Sequence, residues 1–269
     1  MNLREELIAA LIAAKVSSPR LEADIILKHT APDYPQISLE ETAQARNMLA
    51  RRLQNEPLDK IIGQREFYKS VFKVNENVLT PRPDTEILVE SALSLIPQTS
   101  RWQILDLGTG SGCILLSLLA ERPYCIGTGI DLSAKALEVA TENAENLKLA
   151  HRTEFINKSW TEENFIKGQY DIITSNPPYI PSQEINTLEP EVKNYDPLTA
   201  LDGGADGLNC YREIAAIAPL ILKDNGYILL EVGYNQAEDV MRIFANSGLK
   251  PQKIVPDLAG INRCVILKK

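Results

Sequence analysis

Residues 104–119 read ILDLGTGSGCILLSLL and place an apolar strand, a glycine-rich turn and an apolar helix in direct succession. Ile104 to Leu107 predict a buried strand, and Ile114 to Leu119 predict the helix that follows it. Strand and helix patterns continue to alternate down to Leu267, which is typical of a doubly wound, mostly parallel sheet. We therefore predict an α/β, Rossmann-like fold.

The turn inside this stretch has the composition of a nucleoside-binding loop. Glycine allows a positive φ and lets backbone approach a ligand closely. The second strand ends at Asp131, which follows Gly112 by 19 residues. At this spacing, dinucleotide-binding folds have the acid that holds a ribose hydroxyl. The dinucleotide fingerprint would have its third glycine at Cys113, so the pattern favours a nucleoside without pyrophosphate over NAD. The turn residues are Gly108, Thr109, Gly110, Ser111 and Gly112.

A second motif, Ser175-Asn176-Pro177-Pro178-Tyr179, follows the apolar run Tyr170 to Thr174, which predicts a buried parallel strand. Asn176 should then lie at the carboxyl edge of the sheet, where ligands bind in open α/β folds. The prolines have no N–H and stiffen the loop. The Asn176 carbonyl and a backbone carbonyl, covered by Tyr179, could accept both hydrogens of a planar NH2 group. Asn-Pro and Pro-Pro also occur in ordinary turns and linkers.

Length, charge and cysteine content limit the possible functions. A chain of 269 residues predicts two domains, and a net charge of -8 disfavours duplex nucleic acid as the main partner. The four cysteines are far apart and only two histidines are present, so we expect no metal site, and reduced thiols in a cytoplasmic protein. The apolar run Leu7 to Ala14 is too short to span a membrane. We expect a monomer.

The N-terminal part reads as a separate helical region. Leu7, Leu11 and Ala14 are spaced to share one helix face, and Ser38 to Glu41 fit a capping box. Aromatic residues and valines recur from Glu66 to Leu79 and predict a hairpin. We place one domain at residues 1–75, comprising helices and the linking hairpin, and a second at residues 76–269.

The glycine turn, Asp131 and the Asn-Pro-Pro-Tyr loop resemble those of class I S-adenosylmethionine-dependent methyltransferases that modify amide or exocyclic amine nitrogens. More narrowly, three stretches look like those of bacterial peptide chain release factor N5-glutamine methyltransferases: residues 62–67, 80–86 and 195–201. This resemblance covers essentially the whole chain. It implies a seven-stranded methyltransferase sheet in residues 76–269, and an N-terminal domain that recognises the substrate protein.

The resemblance also implies the reaction and its residues. The substrate would be the glutamine amide of the Gly-Gly-Gln motif in release factors, and the donor S-adenosyl-L-methionine. The catalytic residues would be Asn176, Pro177 and Tyr179, and Pro178 would join them in holding the glutamine. Residues implied to contact the donor are Gly108, Thr109, Gly110, Ser111, Gly112, Asp131, Trp160 and Asn176.

Two positions depart from the family pattern. Ser159 stands where relatives often have Asp, which would weaken the hold on the adenine amino group, and Asp196 stands where they often have Glu. The sequence does not assign roles to Arg82 and Glu86. Two alternatives stay open: an N6-adenine DNA methyltransferase that uses the same loop on a flipped base, and a non-catalytic donor-binding assembly protein.

Overall fold

The structure is a computed structural model that describes residues 2–162 and 168–269. Contacts divide the chain into two compact units. The smaller unit contains Met1–Gln64 and Glu189–Tyr195, and the larger contains Arg65–Leu188 and Asp196–Lys269. The helices are α1 (Leu3–Ala13), α2 (Pro19–Thr30), α3 (Leu39–Arg52), α4 (Leu58–Ile62), α5 (Glu86–Leu95), α6 (Cys113–Glu121), α7 (Ala134–Asn146), α8 (Pro190–Tyr195), α9 (Asn209–Ile221) and α10 (Ala237–Asn246). The strands are β1 (Gln64–Phe67), β2 (Ser70–Lys73), β3 (Gln103–Leu107), β4 (Ile126–Asp131), β5 (Thr153–Asn157), β6 (Tyr170–Ser175), β7 (Leu222–Glu231), β8 (Lys250–Pro256) and β9 (Asn262–Lys268).

Helix α3 of the smaller unit begins where the sequence predicts. The capping box at the start of α3 is confirmed, because the Ser38 hydroxyl accepts from the Glu41 N–H and the Glu41 carboxylate accepts from the Ser38 N–H. Leu7 and Leu11 are fully buried. Ala14 is the C-cap of α1 and is exposed.

Residues 189–195 belong to the smaller unit, which the sequence does not predict. The Arg52 guanidinium lies 2.7 Å from Glu22 on α2 and 2.7 Å from Glu191 on α8. The Lys60 ammonium donates to the Tyr195 carbonyl. A buried arginine needs paired acceptors, so these ion pairs fasten α8 to α2 and α3.

The larger unit is built on the predicted doubly wound sheet. Among the described residues it has seven strands in the order β5-β4-β3-β6-β7-β9-β8. The pairs β3–β4, β4–β5, β3–β6 and β6–β7 are parallel, whereas β9 pairs antiparallel with both β7 and β8. The mostly parallel, seven-stranded α/β fold is therefore confirmed.

Side chains of the central strands alternate between two apolar cores, as the period of two in a strand requires. Leu105 and Ile173 pack with α9 and α10 on one face of the sheet. Ile104 and Ile172 pack with α5 and α6 on the other face. Burial on both faces explains why these strands read as continuous apolar runs.

The predicted hairpin is present and short, formed by β1 and β2. Phe67 and Phe72 pack edge to face with ring centroids 6.0 Å apart, and both lie in the core beneath α5 and α6. The division by contacts falls after Gln64 and places all of this hairpin except its first residue in the larger unit, whereas the sequence-based boundary is residue 75.

Strand β7 contains a bulge near its start. Asn225 and Gly226 lie inside β7, where residues 222 to 227 oppose only residues 170 to 172 of β6. Asn225 accordingly has a φ of 64°.

None of the helices in the described ranges is long and apolar enough to cross a membrane.

Candidate active site

The sheet reverses its order of connection at β3, and the predicted site residues gather there. β4 and β5 lie on one side of β3, whereas β6 and β7 lie on the other. The register pairs Leu107 with both Ile130 and Ser175, and Ser175 with Leu230. The residues that end or follow these strands therefore meet at one carboxyl edge. Ligands of open α/β sheets bind at such a reversal point.

The glycine turn leaves β3 with its backbone tied to the neighbouring strand. The N–H groups of Gly108 and Thr109 both donate to the Ile130 carbonyl, at 2.9 and 3.0 Å. Gly110 has a φ of +55°, and a Cβ added there would meet no atom within 4 Å. The side chain of Ser111 is buried, so the turn presents backbone rather than hydroxyls to the space beyond Gly110. Gly112 begins α6.

Asp131 at the end of β4 holds this turn in place. Its Oδ2 accepts from the Gly110 N–H at 2.8 Å and its Oδ1 accepts from the Ser133 N–H at 2.9 Å. Burial raises its pKa, and these backbone N–H donors act in the opposite direction. A carboxylate offers about four acceptor positions, so about two remain for ribose hydroxyls.

A second acid, Asp106, lies beneath the turn and was not singled out from the sequence. It is fully buried and accepts from the hydroxyls of Thr109 and Thr174, each at 2.7 Å. Burial raises the pKa of Asp106 to about 7, while the two threonine hydroxyls lower it and Asp131 raises it further. Asp106 therefore joins β3, β6 and the turn into one rigid unit.

Trp160 lies over the turn. Its ring atoms are 3.6 and 3.9 Å from the position of a Cβ on Gly108, so any side chain at that glycine would contact the indole. The indole N–H donates to Glu213 on α9 at 2.9 Å, which fixes the ring orientation. Ser159, just before Trp160, accepts from the Thr161 N–H at 3.2 Å.

The Asn-Pro-Pro-Tyr loop begins directly after β6. The Asn176 side-chain nitrogen donates to the Thr85 hydroxyl at 3.3 Å, which orients the amide. Within residues 2–162 and 168–269, no hydrogen bond reaches the Asn176 Oδ1 or the Pro177 carbonyl oxygen. Both oxygens can therefore accept from a bound group.

Close backbone packing holds the second half of the loop. A Cβ on Gly203 would lie 2.8 Å from the Pro178 carbonyl oxygen and 2.8 Å from the Tyr179 Cα. The Gln236 side-chain amide donates to the Tyr179 carbonyl at 2.9 Å, and the Ile180 N–H donates to the Leu201 carbonyl at 3.0 Å. The loop is thus positioned by residues far away in sequence.

Glu231, the last residue of β7, lies beside this loop and is only 3% exposed. Burial raises its pKa to about 7, and hydrogen bonding with the Thr85 and Tyr179 hydroxyls and the charge of Arg263 lower it. Burial also raises the pKa of Tyr179, and the Glu231 charge adds to this effect. The sequence contained a signal for Glu231, because an acid ends the apolar run Tyr227 to Leu230 at the same sheet edge.

Ion pairs form at residues 82 and 84, just before α5. Arg82 lies 2.8 Å from Asp196, whose side chain is almost fully buried. Arg263 lies 2.8 Å from Asp84 and 3.0 Å from Asp257. The ion pair between them gives Arg82 and Asp196 a structural role.

Glu86 has a different structural role from Arg82. Its carboxylate accepts from the Tyr68 N–H at 3.0 Å and so ties the turn of the β1–β2 hairpin to α5. Across the described ranges, no cluster of three or more histidine, cysteine, aspartate or glutamate side chains could hold a metal ion.

Comparison with known proteins agrees with this arrangement. Residues 84–189 match the Methyltransferase small domain family. The chain is 42% identical to the release factor glutamine methyltransferase of Caulobacter vibrioides, over 94% of this chain and 90% of that protein. It is 41% identical to the release factor glutamine methyltransferase of Agrobacterium fabrum, over 98% and 96%. The chain belongs to the release factor glutamine methyltransferases.

Solved structures support the fold. A methyltransferase from Pyrococcus furiosus superposes with a TM-score of 0.56 at 18% sequence identity, covering 83% of this chain and 98% of that one. Membership in the release factor glutamine methyltransferases makes the chain a transferase, and the family and fold imply S-adenosylmethionine as methyl donor. The residues at the sheet edge fit this donor, because they offer free acceptor positions on Asp131, open space at Gly110 and the face of Trp160.

Proposed function

We propose that this protein transfers the methyl group of S-adenosyl-L-methionine to the side-chain amide nitrogen of the glutamine in the Gly-Gly-Gln motif of peptide chain release factors. The observation that carries the proposal is the pair of acceptor oxygens, on Asn176 and Pro177, at the edge that also contains the glycine turn and Asp131. Family membership supports the protein substrate.

The donor would be held by residues that the fold has already ordered. The Gly108–Gly112 turn would contact it through backbone, Asp131 would accept from its ribose hydroxyls, Trp160 would cover its adenine, and Asn176 would border its methyl group. S-Adenosylmethionine supplies a methyl group on a positively charged sulfur. The carboxylate of Asp131 and the net charge of -8 suit a cationic ligand.

The acceptor side of the site must make a poor nucleophile reactive. An amide nitrogen shares its lone pair with the carbonyl, and the reaction needs that density on nitrogen. Asn176 Oδ1 and the Pro177 carbonyl would accept the two N–H hydrogens and stabilise the positive charge that develops on nitrogen. One such preorganised dipole is worth about 3 kcal/mol, whereas holding the reactants in line supplies roughly 7–11 kcal/mol.

Positioning therefore contributes more than proton transfer. Tyr179 would pack on the plane of the glutamine amide, and Pro178 would keep the loop rigid beside it. The nitrogen would lose its proton to water after methyl transfer. We assign recognition of the release factor to the helices of the smaller unit, and we expect a cytoplasmic monomer that does not bind nucleic acid directly.

The test is methyl transfer from labelled donor in the presence of a release factor and duplex DNA. We expect label on the release factor glutamine, located by peptide mass mapping, and none on DNA. Label on DNA would indicate an adenine methyltransferase instead, and label on neither would indicate a donor-binding protein.

Asn176→Ala should lower the turnover number by about 100-fold while the dissociation constant of the donor changes little, because one of two acceptor oxygens is lost. Asn246→Ala, at an exposed position in α10, is the matched control and should leave both unchanged. Full turnover in Asn176→Ala would contradict the role of the loop.

A further inference from the structure

Glu231 is a buried acid that neither the core nor an ion pair accounts for. It is 3% exposed, and its Oε2 has no hydrogen-bond partner in the described part of the chain. Burying a carboxyl without full pairing is costly, so its retention points to a function. The register pairs Ser175 of β6 with Leu230 of β7. Glu231, at the end of β7, is therefore level with Asn176, which directly follows β6.

Thr85 lies between these two residues. Its hydroxyl, on a residue 2% exposed, accepts from the Asn176 side-chain nitrogen at 3.3 Å. The same hydroxyl lies close enough to the Glu231 carboxyl to lower its pKa. A hydroxyl has a single hydrogen. If that hydrogen is donated to Glu231, the oxygen lone pairs face Asn176 and can only accept.

We infer that Glu231 is a positioning residue for methyl transfer, which acts through the Thr85 hydroxyl to hold the Asn176 amide with its nitrogen turned away from the substrate and its oxygen turned toward it. This inference rests on the proposed function for its kinetic consequence. A flipped Asn176 amide would present a donor to the substrate NH2 group, and two donors repel. The direction of the Thr85 hydrogen therefore controls whether the site accepts a glutamine amide.

The protonation state of Glu231 sets that direction. An ionised carboxylate can only accept, so Thr85 donates to it, whereas a protonated carboxyl can donate to Thr85 and compete with Asn176. Burial raises the pKa of Glu231 to about 7. The groups that face it come from several elements and are Thr85 and Asp84 before α5, Tyr179 in the loop, Arg263 and Cys264 on β9, Tyr211 on α9 and Cys113 on α6.

Kinetics as a function of pH form the first test. The wild-type turnover number should rise with pH through a midpoint near 7. Glu231→Gln should lower it roughly 10- to 100-fold and remove this rise, with the KM for S-adenosylmethionine changed by less than about twofold. Thr85→Val should behave in the same way, and Thr85→Ser, which keeps the hydroxyl, should restore most of the rate. The double variant should lose no more than either single variant.

Glu90→Gln is the matched control, because this acid is exposed on α5 and should leave the rate and its pH profile unchanged. Additive losses in the double variant would overturn the inference. An increase of the turnover number with pH that is also found in Glu231→Gln would overturn the inference as well.

A second test needs no turnover. The side-chain NH2 resonances of Asn176, assigned in 15N-labelled protein, should shift with a midpoint near pH 7 in the wild type and stay constant in Glu231→Gln and Thr85→Val. A shift that persists in both variants overturns the inference even if the enzyme is active. The coupled shift combined with no methylation of release factors would uphold the inference about Asn176 and reject the proposed function.

Discussion

At the scale of single residues, Glu231 illustrates a conflict between stability and function. Its carboxyl ionises only above a pKa of about 7, compared with the ordinary value of 4.5, because burial removes the water that would solvate the charge. The folded protein therefore binds the proton more tightly than the unfolded chain does. Between pH 4.5 and about pH 7, the free energy of unfolding therefore falls as the pH rises. Below pH 4.5 and above about pH 7, the contribution of Glu231 to the free energy of unfolding does not change with pH.

Glu231→Gln should therefore stabilise the protein at neutral pH. The variant keeps the shape of the protonated carboxyl and has no proton to lose, so its free energy of unfolding at pH 8 should exceed the wild-type value by roughly 2–3 kcal/mol. At pH 4.5 the two proteins should differ little. Denaturant titrations at several pH values measure this difference. The buried Asp106 has a raised pKa in both proteins and cancels in the comparison. A variant that is less stable at pH 8 would contradict the account.

At the scale of elements, the Asn-Pro-Pro-Tyr loop depends on glycines that lie elsewhere in the chain. The prolines restrict φ, but they do not determine where the loop lies. Gly203 does so by allowing its backbone to approach Pro178 and Tyr179 to a distance that leaves no room for a side chain. The Gly203 N–H also donates to the Ile180 carbonyl at 2.8 Å. The backbone at Gly203 thus supports the Asn-Pro-Pro-Tyr loop.

Gly203→Ala should displace the loop and slow the reaction. A Cβ at 2.8 Å from backbone atoms cannot be accommodated by a rotamer change, so Pro178 and Tyr179 must move, and we expect the turnover number to fall about 10- to 100-fold. Donor affinity, measured by calorimetry, should change little because the glycine turn is untouched. Gly260→Ala provides the comparison. It has open space but a φ of +83°, so it should lose about 1 kcal/mol of stability and no activity.

At the scale of the whole molecule, the chain forms the smaller unit from segments that are distant in sequence. Arg52 is 5% exposed and pairs with Glu22 and Glu191, so α2, α3 and α8 meet at a single guanidinium. The Tyr195 hydroxyl donates to the Gln54 carbonyl at 3.0 Å and adds a second tie. Residues 189–195 are therefore part of the helical unit, although the chain on both sides of them belongs to the larger unit.

Arg52→Ala should loosen this arrangement. Removal of the guanidinium leaves two carboxylates without their partner, and we expect a loss of roughly 2–4 kcal/mol in the unfolding transition of the smaller unit. Limited proteolysis should then cleave within residues 189–195 at concentrations of protease that spare the wild type. Arg46→Ala removes an exposed pair with Glu6 and should cost less than about 1 kcal/mol. Equal effects of the two substitutions would contradict the role of Arg52.

Local patterns account for most of what could be predicted. The sheet follows from apolar runs such as Ile104 to Leu107 and from the helices between them, because parallel strands buried on both faces must be apolar throughout. The glycine turn and Asp131 could be located because the chemistry of a strand-to-helix turn depends on neighbouring residues. The exposure of Ala14 and the bulge at Asn225 and Gly226 could not be predicted, because helix length and strand bulges depend on packing partners that the local pattern does not contain.

The amino-acid sequence by itself therefore determined the α/β fold class, the strand after which each motif lies and, through resemblance, the family. Only the tertiary structure showed that Thr85 and Glu231 flank Asn176, that Gly203 supports the loop and that residues 189–195 join the helical unit. Each of these contacts brings together residues separated by long stretches of chain. Such pairing depends on strand order and side-chain burial, which exist only once the sheet has formed.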